Sequence, residues 1–133
     1  QKKFDLSIIL VTHNLGVVAQ VCDRMAVLYA GSVVEISPTY FVYESPHHPY
    51  SKGLLNAIPR PDRRGARMSA IPGTVPADPG GIVGCPFAPR CASAFDRCSV
   101  EMPPLKAVGD AHESACFLRF PRPRRAAANQ SRF

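Results

Sequence analysis

No apolar run in the 133 residues approaches the roughly 18–20 needed to cross a bilayer. The opening residues, Gln1-Lys2-Lys3-Phe4-Asp5, carry neither an initiator Met nor a secretory signal. They read as sequence from within a longer protein, so a fragment or truncated chain is expected. No C-x-x-C knuckle occurs, which weakens any zinc-ribbon reading. Without a secretory leader the expected compartment is reducing, which disfavours disulfides. Proline is scarce early: of fourteen, three precede Ile58 and eleven follow it, so packed structure is expected first and turn-rich chain afterwards. Hydrophobic content of 46% with 20% charged residues suits a globular domain and argues against wholesale disorder.

The net charge of +6 is concentrated rather than spread. Arg60, Arg63, Arg64 and Arg67 form one cluster. Arg119, Arg122, Arg124, Arg125 and Arg132 form another, in a stretch with no acidic residue. No aromatic-basic platform accompanies them, so specific nucleic-acid recognition is not expected. Residues 119–133 read instead as a disordered basic tail, solvated or resting on anionic lipid.

Leu6 to Val11, "LSIILV", is a continuous apolar run of strand length and predicts a strand buried on both faces, with sheet neighbours that this sequence does not supply. Leu15, Val18 and Cys22 then recur at helical spacing. "RMAVLYA" and "SVVEIS" flank Ala30-Gly31 and predict a hairpin. Pro38 opens a short helix. A second helix, "HPYSKGLLNAI", places Tyr50, Leu54, Leu55 and Ile58 on one stripe. Beyond Pro59 a basic linker is expected to about Met68, then an extended "SAIPGTVP" segment.

His13 is expected at the carboxyl end of the buried strand, the edge where open α/β sheets bind ligands. A neutral imidazole there can accept a proton from an attacking water and donate to a phosphate oxygen. The spacing alone favours the plainer reading, in which Thr12, His13 and Asn14 cap the next helix with Asn14 as N-cap.

Cys85, Cys91, Cys98 and Cys116 have five, six and seventeen residues between successive members. Those gaps suit a cubane approached from several directions better than a single ion. Pro86 and Pro89 stiffen the first loop. Arg90 and Arg97, each one residue before a cysteine, are expected to offset the cluster's negative charge together with backbone N–H groups. Four free thiols and zinc ligation are the alternatives. Any bound group is expected to be structural, replacing a core that the segment cannot build. Cys22 is expected as inert core, His112 on the surface, and His47 and His48 as structural residues with Tyr50 beneath.

Two motif sets carry a resemblance. "LSIILVTHNLGVVAQVCDRMAVLYAGSVVEISP" resembles the end of an ABC-transporter ATPase domain, in which a strand ends in the T-H-D/N-L switch-histidine loop and a helix leads to a D-R-x-x-V-x-x-x-G hairpin. His13 matches the switch histidine, which in that family contacts the γ-phosphate and helps position the hydrolytic water; Asn14 stands where Asp is commoner. "SPHHPYSKGLLNAIP" and "PGTVP…GCPFAPRC…RC…PPL…H…AC" are similar to the oligopeptide/dipeptide importer subfamily. Its C-terminal extension holds a [4Fe–4S] cluster in some members, and Cys85, Cys91, Cys98 and Cys116 match those cysteines one by one.

The resemblance implies an α/β fold: the C-terminal end of a P-loop ABC ATPase domain followed by an irregular Cys-rich extension. Residues 1–58 would be the ATPase portion, 59–68 the basic linker, 69–118 the four-cysteine extension and 119–133 the tail. It implies ATP and Mg²⁺ for the parent subunit, with a second ATPase subunit and two membrane permeases as partners and a peptide-binding protein indirectly. The expected place is the cytoplasmic face of the bacterial inner membrane. The sequence contains no G-x-x-x-x-G-K-[ST] loop, no LSGGQ-like signature and no apolar strand ending in Asp-Glu, so these residues alone are expected to be inactive. The rival is a free-standing four-cysteine metal or redox module without an ATPase role.

Overall fold

The computed structural model describes residues 3–58 and 70–120. The expected linker over 59–68 and nearly all of the expected tail lie outside the described residues.

The first helix, α1 (Leu15–Val21), starts where Asn14 Oδ1 accepts from the Val17 N–H at 3.2 Å. This satisfies one of the donors left open at a helix start. Strands β1 (Arg24–Tyr29) and β2 (Ser32–Pro38) form the expected antiparallel hairpin, with Val27 opposite Glu35. Its two-residue turn puts Ala30 and Gly31 at φ +46° and +78°, matching the twist of the flanking strands. Helices α2 (Thr39–Glu44) and α3 (Pro49–Asn56) follow as the sequence predicts. Pro38 is the N-cap of α2 and Pro49 the first residue of α3, where a missing N–H costs nothing.

The core gathers Val27, Tyr29, Val34, Val42 and Leu55 from these elements, and it is closed by Phe87 from the cysteine region. Each such side chain contributes about 1.5–3 kcal/mol on burial. Tyr29 meets Tyr50 and Phe87 edge-on, with ring centroids 4.7 and 5.2 Å apart. The Arg90 guanidinium fastens the segment after residue 70, donating to the carbonyls of Pro72 at 2.8 Å and Ile71 at 2.9 Å and to the Tyr29 hydroxyl at 3.3 Å.

Two expectations are corrected. Residues 6–11 form no strand; Ile9 and Val11 are 94% and 93% exposed. Strand-prone side chains do not make a strand by themselves, because its N–H and C=O groups need a neighbour, and no described strand pairs with this run. The cysteine extension, in turn, is not irregular throughout. It holds a short helix α4 (Asp96–Val100) and the strands β3 (Lys106–Gly109) and β4 (His112–Ser114). Strand β4 pairs antiparallel with β2, giving one sheet in the order β1-β2-β4-β3. The extension therefore completes the sheet that the hairpin begins. Among the described residues no helix is long and apolar enough to cross a membrane.

Candidate functional site

The four cysteines expected to act together line one small cavity, with His48 and Phe117 among its other walls. Its closed volume is about 20 Å³, the room of a single water. Local hydrogen bonds shape the loop that delivers three of them. The Cys85 N–H donates to the Cys98 carbonyl at 2.7 Å, the Ala88 N–H to the Cys85 carbonyl at 2.9 Å, and the Ala94 N–H to the Cys91 carbonyl at 3.0 Å. Gly84 makes the first of these possible. A Cβ there would stand 2.4 Å from the Cys98 carbonyl oxygen and 2.5 Å from the Ser99 carbonyl carbon. Cys116 arrives from the other side, directly after β4.

Burial pushes the thiols of Cys85, Cys91 and Cys116 up from their ordinary pKa, and repulsion from the neighbouring cysteines adds to this. Backbone N–H groups oppose it: Phe87 and Ala88 donate toward Cys85, Ser93 toward Cys91 and Leu118 toward Cys116. Amides aimed at sulfur are the surroundings that a thiolate-ligated soft ion or cluster needs. The donor types are those of such a group, while the cavity between them has room for about one water. As the side chains stand, no three His, Cys, Asp or Glu groups among the described residues converge closely enough to hold a metal ion.

Of the two arginines expected to offset the cysteines' charge, Arg97 interacts electrostatically with Cys98 from outside the cavity. Neither Arg90 nor Arg97 lines the cavity. Arg90 holds the carbonyls of residues 71 and 72. Arg97 pairs with Glu101 at 2.6 and 2.7 Å and lies 4.0 Å over the Phe117 ring.

Beside this cavity lies a residue that the sequence reading passed over. Glu35 is 0% exposed and joins three segments. Its carboxylate accepts from the His47 N–H at 2.6 Å and the His48 N–H at 2.9 Å, and it meets His112 Nε2 at 2.6 Å. Burial raises its pKa, but the Ser51 hydroxyl, the two backbone N–H groups and His112 outweigh this and hold it below the usual carboxylate value. The available signal was a lone acidic residue inside an apolar strand. His112, expected on the surface, is 5% exposed, because β4 carries it onto this buried carboxylate.

His48 is 1% exposed and caps α3, its Nδ1 accepting from the Tyr50 N–H at 3.0 Å. Burial lowers its pKa to about 4, against an opposing pull from Glu35. Cys22 is half-buried at the end of α1.

His13 lies in a bend before α1, exposed to solvent. Thr12 Oγ1 accepts from the Asn14 N–H at 3.0 Å, so the residues on either side of His13 perform the capping that the spacing allowed. The Tyr43 hydroxyl of α2 donates to the Leu15 carbonyl and fastens the start of this helix. His13 is not among the residues lining the cysteine cavity.

Residues 34–98 match the sequence pattern of the oligopeptide/dipeptide transporter, C-terminal region. The chain is 45% identical over 119 residues to the dipeptide transport ATP-binding protein of Bacillus subtilis, covering 90% of this chain and 36% of that protein. It is 46% identical over 117 residues to the oligopeptide transport ATP-binding protein of Salmonella typhimurium, covering 88% and 35%. The chain is thus similar to the C-terminal region of oligopeptide/dipeptide transport ATP-binding proteins over about nine-tenths of its length. It spans about a third of the length of the curated relatives it matches.

Proposed function

We propose that this chain is the C-terminal part of the ATP-binding subunit of an ABC importer, coupling ATP hydrolysis to peptide uptake. The observation that carries this is identity of 45–46% over about nine-tenths of the chain to ATP-binding proteins of dipeptide and oligopeptide transport. In this reading His13 is the switch histidine. Its exposed imidazole, between Thr12 and the capped start of α1, is free to meet a γ-phosphate and a water. The nucleotide's other contacts come from motifs absent from these residues, so ATP and Mg²⁺ belong to the whole subunit. The partners are a second ATPase subunit, the permeases and, through them, a peptide-binding protein, with the subunit peripheral on the cytoplasmic face of the membrane.

The test is His13→Ala in the ATP-binding subunit that carries this segment, assembled with its partners. Loss of one acid–base group predicts a fall in ATP hydrolysis of about 10²-fold with parallel loss of labelled-peptide uptake. Uptake at the unsubstituted rate would overturn the assignment.

We propose further that Cys85, Cys91, Cys98 and Cys116 hold a [4Fe–4S] cluster. The enclosure of all four thiols in one cavity and the amides turned toward three of them support this. When bound, such a cluster would supply Fe–S bonds tying the 85–98 loop to Cys116. Anaerobic purification, a visible spectrum and iron and zinc quantification test it; a colourless protein with stoichiometric zinc would reassign the site.

A further inference from the structure

We infer that Tyr43 is a positioning residue for His13: from α2 it holds the first turn of α1, and with it the bend that carries the imidazole. This rests on the switch-histidine reading above. The His13 ring is exposed, so its place is set by the backbone on either side. Thr12 Oγ1 accepts from the Asn14 N–H at 3.0 Å, and Asn14 Oδ1 accepts from the Val17 N–H at 3.2 Å. Gly16 leaves room for that cap, since a Cβ there would stand 3.2 Å from Asn14 Oδ1. These bonds are local and fix the bend only relative to α1. A helix of seven residues is marginal by itself, so its own position has to come from outside.

That support is α2. The Tyr43 hydroxyl donates to the carbonyl of Leu15, two positions after His13. The Thr39 N–H donates to the Asp23 carbonyl at 2.9 Å, just past the other end of α1. One short helix thus holds its neighbour at both ends. Partial burial, with Cys22 adding to it, pushes the Tyr43 pKa up, so the phenol stays a protonated donor at physiological pH. The side chains of Tyr43 and Leu15 both pack against the core, which ties the His13 bend to the rigid part of the fold. The chain after α2 is fixed in turn, because the N–H groups of His47 and His48 end on Glu35.

Tyr43→Phe keeps the ring and removes only the donor. ATP hydrolysis is measured at varied ATP in the ATP-binding subunit that carries this segment, assembled with its partners, for the wild type, Tyr43→Phe, His13→Ala and the double variant. Tyr43→Phe is expected to lower kcat about tenfold with the KM for ATP and the melting temperature nearly unchanged, since misplacing a reacting group slows the step without weakening binding. Added to His13→Ala, the same change is expected to lower kcat no further, because no imidazole is left to place. A merely structural role would cost the same factor in both backgrounds, and that result overturns the inference. So does a Tyr43→Phe subunit with the wild-type kcat, while a lowered His13→Ala rate beside it leaves the switch-histidine reading standing. A His13→Ala subunit at the wild-type rate overturns that reading and this inference with it.

Discussion

Acid should unfold this protein partly through a single imidazole. His48 in the fold has its pKa lowered from 6.5 to about 4 because the ring is buried. Above pH 6.5 both folded and unfolded chains hold the ring neutral, and its contribution is intact. Between 6.5 and about 4 the unfolded chain takes up a proton that the fold refuses, so stability falls as pH falls. Below about 4 both states are protonated and the loss is complete. The full separation corresponds to about 3 kcal/mol, of which about 2 kcal/mol is already lost at pH 5. His47, whose pKa is lowered by burial and by His112 and Arg119, acts in the same direction and leaves a residual slope. Glu35 is separable, since its lowered pKa removes stability only as pH falls below the ordinary carboxylate value of 4.5. Urea titrations of the metal-free, reduced chain at pH 7, 6 and 5 measure the effect, with the denaturant slope checked for constancy. His48→Asn retains a cap and removes the titrating group, so its loss between pH 7 and 5 should shrink by about 2 kcal/mol. If the variant lost as much as the wild type, the assignment of the acid limb to His48 would be refuted.

Gly84→Ala should destabilise the cysteine lobe by at least about 1–3 kcal/mol, because the new methyl meets the backbone at residues 98 and 99 rather than a side chain that can turn away; chemical denaturation reads this. Glu35→Gln should cost about 1–3 kcal/mol, since an amide cannot accept equally from two N–H groups and His112. Hydrogen exchange should then quicken in β4 before α1. Arg90→Met should release the segment after residue 70, detected as faster proteolysis between residues 70 and 78, with a stability loss of about 1–3 kcal/mol from three lost hydrogen bonds.

Local chemistry explains what was legible in the sequence. The hairpin at Ala30-Gly31, the cap at Asn14 and the two proline-led helices depend on a few adjacent residues, and each stands where the sequence places it. The four cysteines were recognisable as a set from their spacing and family pattern. Their meeting in one cavity depends on Gly84, the 85–98 hydrogen bonds and the return of β4, whose pairing of Ile36 with Glu113 joins segments far apart in sequence. The run Leu6–Val11 gives the opposite lesson. Its composition is that of a strand, but pairing is a property of two segments, and among the described residues it has no partner.

By itself, then, the sequence determined the turns, the caps, the helix stripes and the thiol inventory, because those are set by backbone preferences and side-chain chemistry within a few residues. Only the tertiary structure decided that Glu35 and His112 are buried together and that His48, the cap of α3, lies in the wall of the cysteine cavity. Those outcomes follow from where β4 docks on β2, and no local preference encodes the direction of a side chain across such a distance.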